Sequence, residues 1–516
     1  MEFGILSLLP PVLAIILALM TRNVIPALFV GVWIGATMVN DWNPLMGVFA
    51  SFKDFIIPSI GDEWSATIIL YGAFFGGLIA VLQKTGGAHA IAEAIAKRVK
   101  TPRGAQISTW LFGIAIFFED YFNALTVGSV MRPVTDKMKV SREKLAYIVD
   151  STSAPMCLLA PVSTWVVFVM GLIGAQFADL GISESAYLAY LKTIPFNFYA
   201  ILALLLVALT VLTKLEFGPM AAAEKRARTT GALFREGAKL PSAQDITDST
   251  PPENVVPKLR NMVIPLVVLL GLIPPLFLWT GGFPENDFVN AIGEADGSVS
   301  IMLAAFVAGM VGLALGVGQN MFSVGKAIDI YFSGIKGMTL VYIILTLAWS
   351  IGSVTEAVGT AEYVISLAEQ TTSPQLIPVL LFAVGMLISF TTGTSYGTFA
   401  IMIPIAIPLA VSMDVSVFPA IAAVLSGGIF GDHCSPISDT TILSSAGSSC
   451  DHIDHVNTQL PYAITGGLSG IVAFLTVGLT GSALASVASG ILAMFALVFT
   501  FSKIWGVNSK GLDVPA

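Results

Sequence analysis

Apolar residues run through this chain in uninterrupted blocks of about 20, the length an α-helix needs to cross a bilayer core. Of the 516 residues, 55% are hydrophobic and 11% charged, whereas a soluble domain carries roughly a quarter charged residues. A β-barrel would alternate apolar and polar positions in runs of about ten. The continuous blocks instead define an all-α polytopic membrane protein. In such a fold, non-helical backbone at membrane depth must be buried in protein or line a water-filled cavity. The polar and proline-containing interruptions of the blocks are therefore the informative positions.

The three cysteines, Cys157, Cys434 and Cys450, give no disulfide framework. The net charge of −8 matters less than where the lysines and arginines lie, because these gather on the cytoplasmic side of the spans. The N-terminus lacks a basic leader region and a small-residue cleavage site, so residues 4–21 read as a first span rather than a cleaved signal. A second span at 24–40 follows Arg22. The loop 41–65 carries Asp41, Asp54, Asp62 and Glu63 against Lys53, which places it outside. The span 66–83 returns to Lys84, Lys97, Arg98, Lys100 and Arg103 on the cytoplasmic side. The block 104–131 then ends at a second basic stretch, Arg132, Lys137, Lys139, Arg142 and Lys144. Both its ends are cytoplasmic, as a re-entrant hairpin requires, and FEDYFN (118–123) marks its tip.

The segment 145–177 crosses outward, broken at Pro155 and Pro161 among serines and threonines. A span at 194–213 leads to the polar loop 214–260, read as a cytoplasmic linker. Beyond it the plan recurs upside down. Spans at 261–280 and 299–318 flank an acidic outer loop, and a span at 338–355 follows. A second hairpin at 378–410 has TTGTSYGT (391–398) at its middle, and a second broken segment covers 416–448. Spans at 461–480 and 483–502 complete a total of about 11 spans plus two hairpins. The domain plan is thus a first inverted repeat at 1–213, the linker, a second repeat at 261–480, and an extra span and tail at 481–516. The N-terminus is expected outside and the C-terminus in the cytoplasm, in a bacterial inner membrane. Residues 87–100, with His89, and 357–370 read as interfacial amphipathic helices.

Laid on one another with Tyr121 over Tyr396, the two halves align without gaps. The same register pairs Pro133 with Pro408, Ser151 with Ser426, Pro161 with Pro436 and Ser163 with Ser438. Inverted repeats with paired broken helices are the signature of secondary transporters, with the site near the midplane. Unwound carbonyls and neutral hydroxyls, with a carboxylate, suit a hard monovalent cation such as Na+. Glu119, Asp120, Asp432 and Asp439 are the carboxylates near the breaks, and a carboxylate at that depth is tolerated where it holds a cation or a proton. His433 is placed either to bond backbone or to take part in a proton step. The cluster Cys450, Asp451, His452, Asp454 and His455 has metal-ligand residue types. The topology puts it at the cytoplasmic end of a span, as a structural or pH-responsive mouth.

GDHCSPISDTTILSS followed by CDHIDHVNTQLPYA resembles the NhaC-type Na+/H+ antiporter family. TGTSYGTFAIMIPIAIP and FFEDYFNALTVGSVMRPV are similar to that family's other characteristic stretches. The resemblance implies sodium-coupled secondary transport by alternating access in an elevator-like dimer, with Na+ and H+ as transported ions, no cofactor and no enzymatic activity. It also admits an organic solute, since the family includes exchangers of organic acids and of amino acids. The expected partners are those ions or solutes, the lipid bilayer and a second copy of the chain, with no nucleic acid. The expected ion site takes Asp432, His433, Ser435, Ser438, Asp439 and Thr440 from the second half, with Thr394, Ser395 and Thr398 from its hairpin. The first half contributes Glu119, Asp120, Asn123, Ser163 and Thr164. Na+ itself is expected at Ser163, Thr164, Ser438 and Asp439.

Overall fold

The computed structural model describes residues 3–21, 24–61, 63–87, 90, 99–117, 119–161, 163–184, 186–241, 256, 258–360, 363 and 373–506. The interfacial helices expected at 87–100 and 357–370 fall largely outside these residues, as do His89, much of 241–260 and the tail. Among the described residues every regular element is helical. Six helices are long and apolar enough to cross a membrane, or up to eight if two bent pairs each count as one span. One bent pair, Ile25–Val39 with Pro44–Gly61 at 114°, covers most of the acidic stretch read as a loop at 41–65. That stretch is helical. Asn43 caps it by accepting the Leu45 and Met46 amides, and Pro44 opens it.

Helices begin at Glu63, Pro102, Asp120, Arg142 and Thr164, and again at Thr339, Ile377, Ser395, Val417 and Asp439. Four of the second series start at the position that the Tyr121-on-Tyr396 register assigns to their counterparts, and Thr339 starts one position later. The packing exchanges in the same way. Helix Asp120–Lys137 lies on Asp439–Ser448, and Ser395–Ser412 lies on Thr164–Asp179. Helix Glu63–Lys84 lies on Gly297–Gly318, and Thr339–Ala357 lies on Val24–Val39.

The two segments expected as hairpins are each a pair of helices joined by a short non-helical stretch. In the first, Thr101 caps Pro102–Ala115 by accepting the Gly104 amide at 3.0 Å, and the helix resumes at Asp120. In the second, Ile377–Thr392 ends at Gly393, whose φ of +71° favours glycine and where an added Cβ would meet the Ile437 carbonyl oxygen at 2.7 Å. Thr394 then caps Ser395–Ser412. The segments expected to be broken are divided into shorter helices. The first runs Arg142–Thr152, Ala154–Leu159 and Thr164–Asp179, and the second Val417–Asp432 and Asp439–Ser448.

The broken segments are among the most deeply buried parts of the chain. Every residue of Asp439–Ser448 is buried, as is all of Val417–Asp432 beyond its first two residues. Helices Arg260–Thr280 and Ala483–Trp505, by contrast, turn Val263, Val267, Trp279, Leu484, Leu492 and Phe499 outward, an apolar face suited to lipid. Glycine lets the central helices approach backbone to backbone. A Cβ on Gly128 would stand 2.6 Å from the Gly447 carbonyl carbon, and one on Gly447 would stand 2.4 Å from the Ala124 carbonyl oxygen. This contact seats the first hairpin on the second half's broken helix.

The polar stretch after residue 213 is less of a free linker than its composition suggests. It contains a helix, Gly218–Thr230, with buried Met220, Glu224 and Ala227. Glu224 accepts the Ser141 amide at 2.9 Å, and Arg226 pairs with Glu143 at 2.8 Å. Lys144, one of the basic residues used for orientation, is fully buried on Glu216 at 2.8 Å, beside the rings of Tyr147 and Tyr462.

Gly447→Val must separate Asp439–Ser448 from Asp120–Lys137 and is expected to cost roughly 1–3 kcal/mol of stability. Thermal unfolding in detergent measures it. Gly271→Ala, with no heavy atom near its new Cβ, should stay within about 1 kcal/mol of the parent. Equal stability of the two variants would remove the close approach from the account.

Candidate functional site

Unwinding at 433–438 brings the end of one half-helix, Asp432, against the start of the next. The Asp432 carboxylate accepts from Ser438 Oγ at 2.5 Å, Ser395 Oγ at 2.7 Å and Thr440 Oγ1 at 3.2 Å. Ser395 belongs to the second hairpin, so three segments converge here. Among the described residues no lysine or arginine pairs with this carboxylate. A hydroxyl can donate to a carboxylate or turn a lone pair to a cation. One carboxylate ringed by three hydroxyls is therefore a donor set for a hard monovalent ion.

Asp439 opens the second half-helix. Its carboxylate accepts from Tyr121 OH and from the Thr440 amide at 2.8 Å. It also lines a cavity of about 410 Å³ walled by Ser59, Phe168, Trp349, Ser353, Thr394 and Tyr396 among others. Tyr121 sits one residue after Asp120, so the first hairpin tip meets the second half's break. Asp120 is within electrostatic reach of Glu119 and Asp439, and Asp432 of Asp439 and Asp150. One Asp120 carboxylate oxygen is buried without a hydrogen-bond partner. A buried carboxylate oxygen left unpaired is costly until a cation or proton meets it. Glu119, at the tip, accepts from Tyr71 OH, and the Tyr71 and Tyr121 rings stack at 6.3 Å.

On the other side of the break lies a second buried carboxylate, Asp150. It accepts from Thr441 Oγ1 and Ser444 Oγ at 3.1 Å each and from Gln459 Nε2 at 2.6 Å. Gln459 Nε2 also donates to the His433 carbonyl, which turns its Oε1 to His455 Nε2 at 2.8 Å. His455 Nε2 therefore carries a proton. His452 Nε2 does too, since it lies 2.8 Å from the Pro436 carbonyl. The two Nδ1 atoms face one hydroxyl, Ser445 Oγ, at 2.8 and 3.1 Å, and that hydroxyl also lies 2.8 Å from the Thr441 carbonyl. Three acceptors thus compete for one hydroxyl proton. Asp150, 3.7 Å from His455 Nε2, is the countercharge available to a protonated ring. Among the described residues no three His, Cys, Asp or Glu side chains converge as a metal requires. His455 belongs to this buried network rather than to an open mouth.

The remaining expected residues divide by task. His433 is buried between Tyr199 OH at 2.7 Å and Ser151 Oγ at 3.1 Å. Asn123 Nδ2 lies within 2.9 Å of the carbonyls of Gly113, Ile116 and Thr152, so it fastens the hairpin tip to the first broken segment. Ser163 donates to the Cys157 carbonyl at 2.8 Å and caps Val166. Ser435 donates to the Phe390 carbonyl at 2.8 Å and Thr398 to that of Thr394 at 2.9 Å. Asn123, Ser163, Ser435 and Thr398 thus satisfy unwound or terminal backbone, and among the described residues neither their hydrogen bonds nor those of the His433 ring reach the Asp432 or Asp439 carboxylate. The Thr164 side chain lies outside the described residues. Sequence reasoning passed over Tyr71, Tyr121, Asp150, Thr441 and Gln459. Tyr121 carried a signal in its pairing with Tyr396, and Asp150 stands one residue before the Ser151–Ser153 patch. Gln459 is one helical turn beyond His455.

The sequence model of the Na+/H+ antiporter family matches residues 156–479. An uncharacterized protein of Haemophilus influenzae is 35% identical over 96% of this chain and 95% of its own. A malate-2H(+)/Na(+)-lactate antiporter of Bacillus subtilis is 31% identical over 34% of this chain and 39% of its own. The crystal structure of the Alcanivorax borkumensis YdaH transporter aligns with 84% of this chain and 88% of its own, at 15% identity and a TM-score of 0.38, a likeness too low to support an argument.

Asp150→Asn removes the countercharge from the histidine pair and leaves the Asp432 donor set whole. Proton flux through the protein is expected to fall at least about tenfold, or about 1.4 kcal/mol on the barrier, with 22Na+ binding within about twofold of the parent. Unchanged proton flux would detach the histidine network from proton movement.

Proposed function

The chain belongs to the Na+/H+ antiporter family, and on that premise we propose that it is a sodium-coupled secondary transporter exchanging Na+ for H+ by alternating access. The observation that carries this reading is the set of buried acids at the junction of the two breaks. Asp432 meets hydroxyls, Asp439 a tyrosine and one amide, and one Asp120 oxygen is unpaired, and among the described residues none of the three has a lysine or arginine beside it. Such a set is stable only when it holds cations or protons. We assign Na+ to the Asp432 and Asp439 carboxylates with Ser438, Thr440 and Ser395, and Asp120 to the same pool of charge. Ser163 and Thr164, expected beside the ion, are assigned to it less directly, through the first half's matching break.

The recurrence of helix starts at matched positions and the exchanged packing support two inverted repeats, each with a re-entrant hairpin and a broken helix. The cavity at Asp439 is bordered by Ser59 and Ser65, next to the acidic stretch assigned to the outside. On the opposite side, Arg142 donates to the carbonyls of Ser448 and Ser449, and Arg235 pairs with Asp454 at 3.0 Å. The arrangement accords with an outward-open state, the N-terminus outside and the C-terminus in the cytoplasm of a bacterial inner membrane. An elevator-like motion and a homodimer belong to the same proposal. A second reading, in which an organic solute moves with or against Na+, is favoured by the volume of the cavity and by the partial likeness to the malate-2H(+)/Na(+)-lactate antiporter.

Proteoliposomes with an imposed Na+ gradient and an internal pH dye should show Na+-dependent proton movement. Asp432→Asn and Asp439→Asn are each expected to lower it at least about 100-fold, equivalent to about 2.7 kcal/mol. Absence of sodium-dependent proton movement in the parent would remove the antiport reading.

Na+ and H+ contend for the same carboxylates, so each weakens the other's binding reciprocally. Apparent Na+ affinity should therefore rise with pH, by up to about tenfold per unit for one-for-one exchange. A pH-independent affinity would separate the two ions' sites.

A further inference from the structure

The cavity beside Asp439 is far larger than an ion needs. Its volume of about 410 Å³ falls in the range of small-molecule pockets, roughly 300–1,000 Å³, and a single Na+ leaves most of it empty. Its lining has a definite chemistry. Among the described residues Asp439 is its one charged residue, and none that borders it is lysine, arginine or histidine. Ser59, Ser65, Ser353, Thr392 and Thr394 add neutral hydroxyls. Three aromatic side chains, Phe168, Trp349 and Tyr396, complete the wall, with Phe168 edge-on to Tyr396 at 4.7 Å.

This lining discriminates between classes of solute. A carboxylate placed here would meet the Asp439 charge with no cation to offset it, which amounts to selection against anions. The first turn of Ser395–Ser412 also borders the cavity, but Thr394 Oγ1 already takes the Gly397 amide. A primary ammonium group has three donors for the Asp439 carboxylate and the neighbouring hydroxyls. Aromatic faces attract cations and shelter an apolar body. We propose that this cavity binds a small organic cation, its ammonium group on Asp439 and its body against Trp349, Tyr396 and Phe168, in competition with Na+. The proposal rests on the reading of Asp439 as part of the transported-cation site, and it names a second class of cation for that site.

The test is displacement of 22Na+ from the purified, detergent-solubilised full chain. The probes are ethylamine, butylamine and phenethylamine, set against butyrate, lactate and malate, with thermal stabilisation as a parallel readout. The amines should displace Na+ at millimolar concentration, most strongly phenethylamine, and the carboxylates should not. Trp349→Leu should weaken phenethylamine at least tenfold and leave Na+ affinity within twofold. The wild-type panel decides the matter even if that variant fails to fold. Displacement by the carboxylates and not the amines overturns the proposal. So does the absence of any effect from either class while Na+ binds normally, an outcome that leaves the Na+/H+ reading intact. Amine stabilisation without Na+ binding upholds the organic-cation site and removes the sodium coupling. Failure of Na+ and amines alike overturns both.

Discussion

Unwound backbone inside an apolar slab must find its hydrogen-bond partners in the protein, and the centre of this molecule is arranged around that demand. The break at 433–438 exposes carbonyls that are met one by one. Gln459 donates to His433 and His452 to Pro436, while the Thr441 hydroxyl divides its one proton between the Asp432 carbonyl and the Asp150 carboxylate. The Gly428 carbonyl, just upstream, takes Ser389. The first break is served in the same way by Asn123 on Thr152, Ser163 on Cys157 and Tyr190 on Leu158. Much of the polar content of these segments is thus occupied in making a broken helix possible. The Asp432 carboxylate instead takes three side-chain hydroxyls.

The same constraint accounts for the burial of the broken segments and for the glycines between them. Irregular backbone cannot face lipid, so the half-helices occupy the middle of the bundle. The hairpins must then come close enough to cover them. Gly128 against Gly447 achieves this for the first hairpin. Gly427 does so for the second, where a Cβ would stand 2.6 Å from the Phe382 carbonyl oxygen. Close approach has an electrostatic consequence. It brings acids from both halves within reach of one another, which a resting protein sustains only with cations or protons in place. Thr441 lies between the two buried acids, its hydroxyl 3.1 Å from both the Asp150 carboxylate and the Asp432 carbonyl.

A good part of this was legible in the chain. Continuous apolar blocks dictated helices, and FEDYFN (118–123) falls where helix Pro102–Ala115 gives way to Asp120–Lys137. The interruptions at Pro161 and Pro436 marked the breaks within a few residues. The register between the halves, thin as a set of identities, reappears as a set of helix starts. Of the residues expected at the site, Ser438 and Thr440 lie on the Asp432 carboxylate and Asp439 beside Tyr121. Asn123, Ser163, Ser435 and Thr398 bond backbone carbonyls instead, a task that their residue type does not distinguish from ion binding. The acidic stretch 41–65 hid a helix behind its composition. The basic stretch 132–144 hid a buried Lys144, whose partner Glu216 lies beyond the whole of the first broken segment.

By itself the sequence determined that this chain lives among lipid, where it must break its helices, and that carboxylates stand beside the breaks. These follow from hydropathy and from the one-dimensional spacing of proline, serine and acid. Tertiary structure alone decided which acids share a site and which side chains serve backbone. Tyr121 reaches Asp439 across 318 positions and Gln459 reaches Asp150 across 309. Such pairings arise when separate segments are packed together to satisfy buried polar atoms, and no local pattern in either segment encodes its partner.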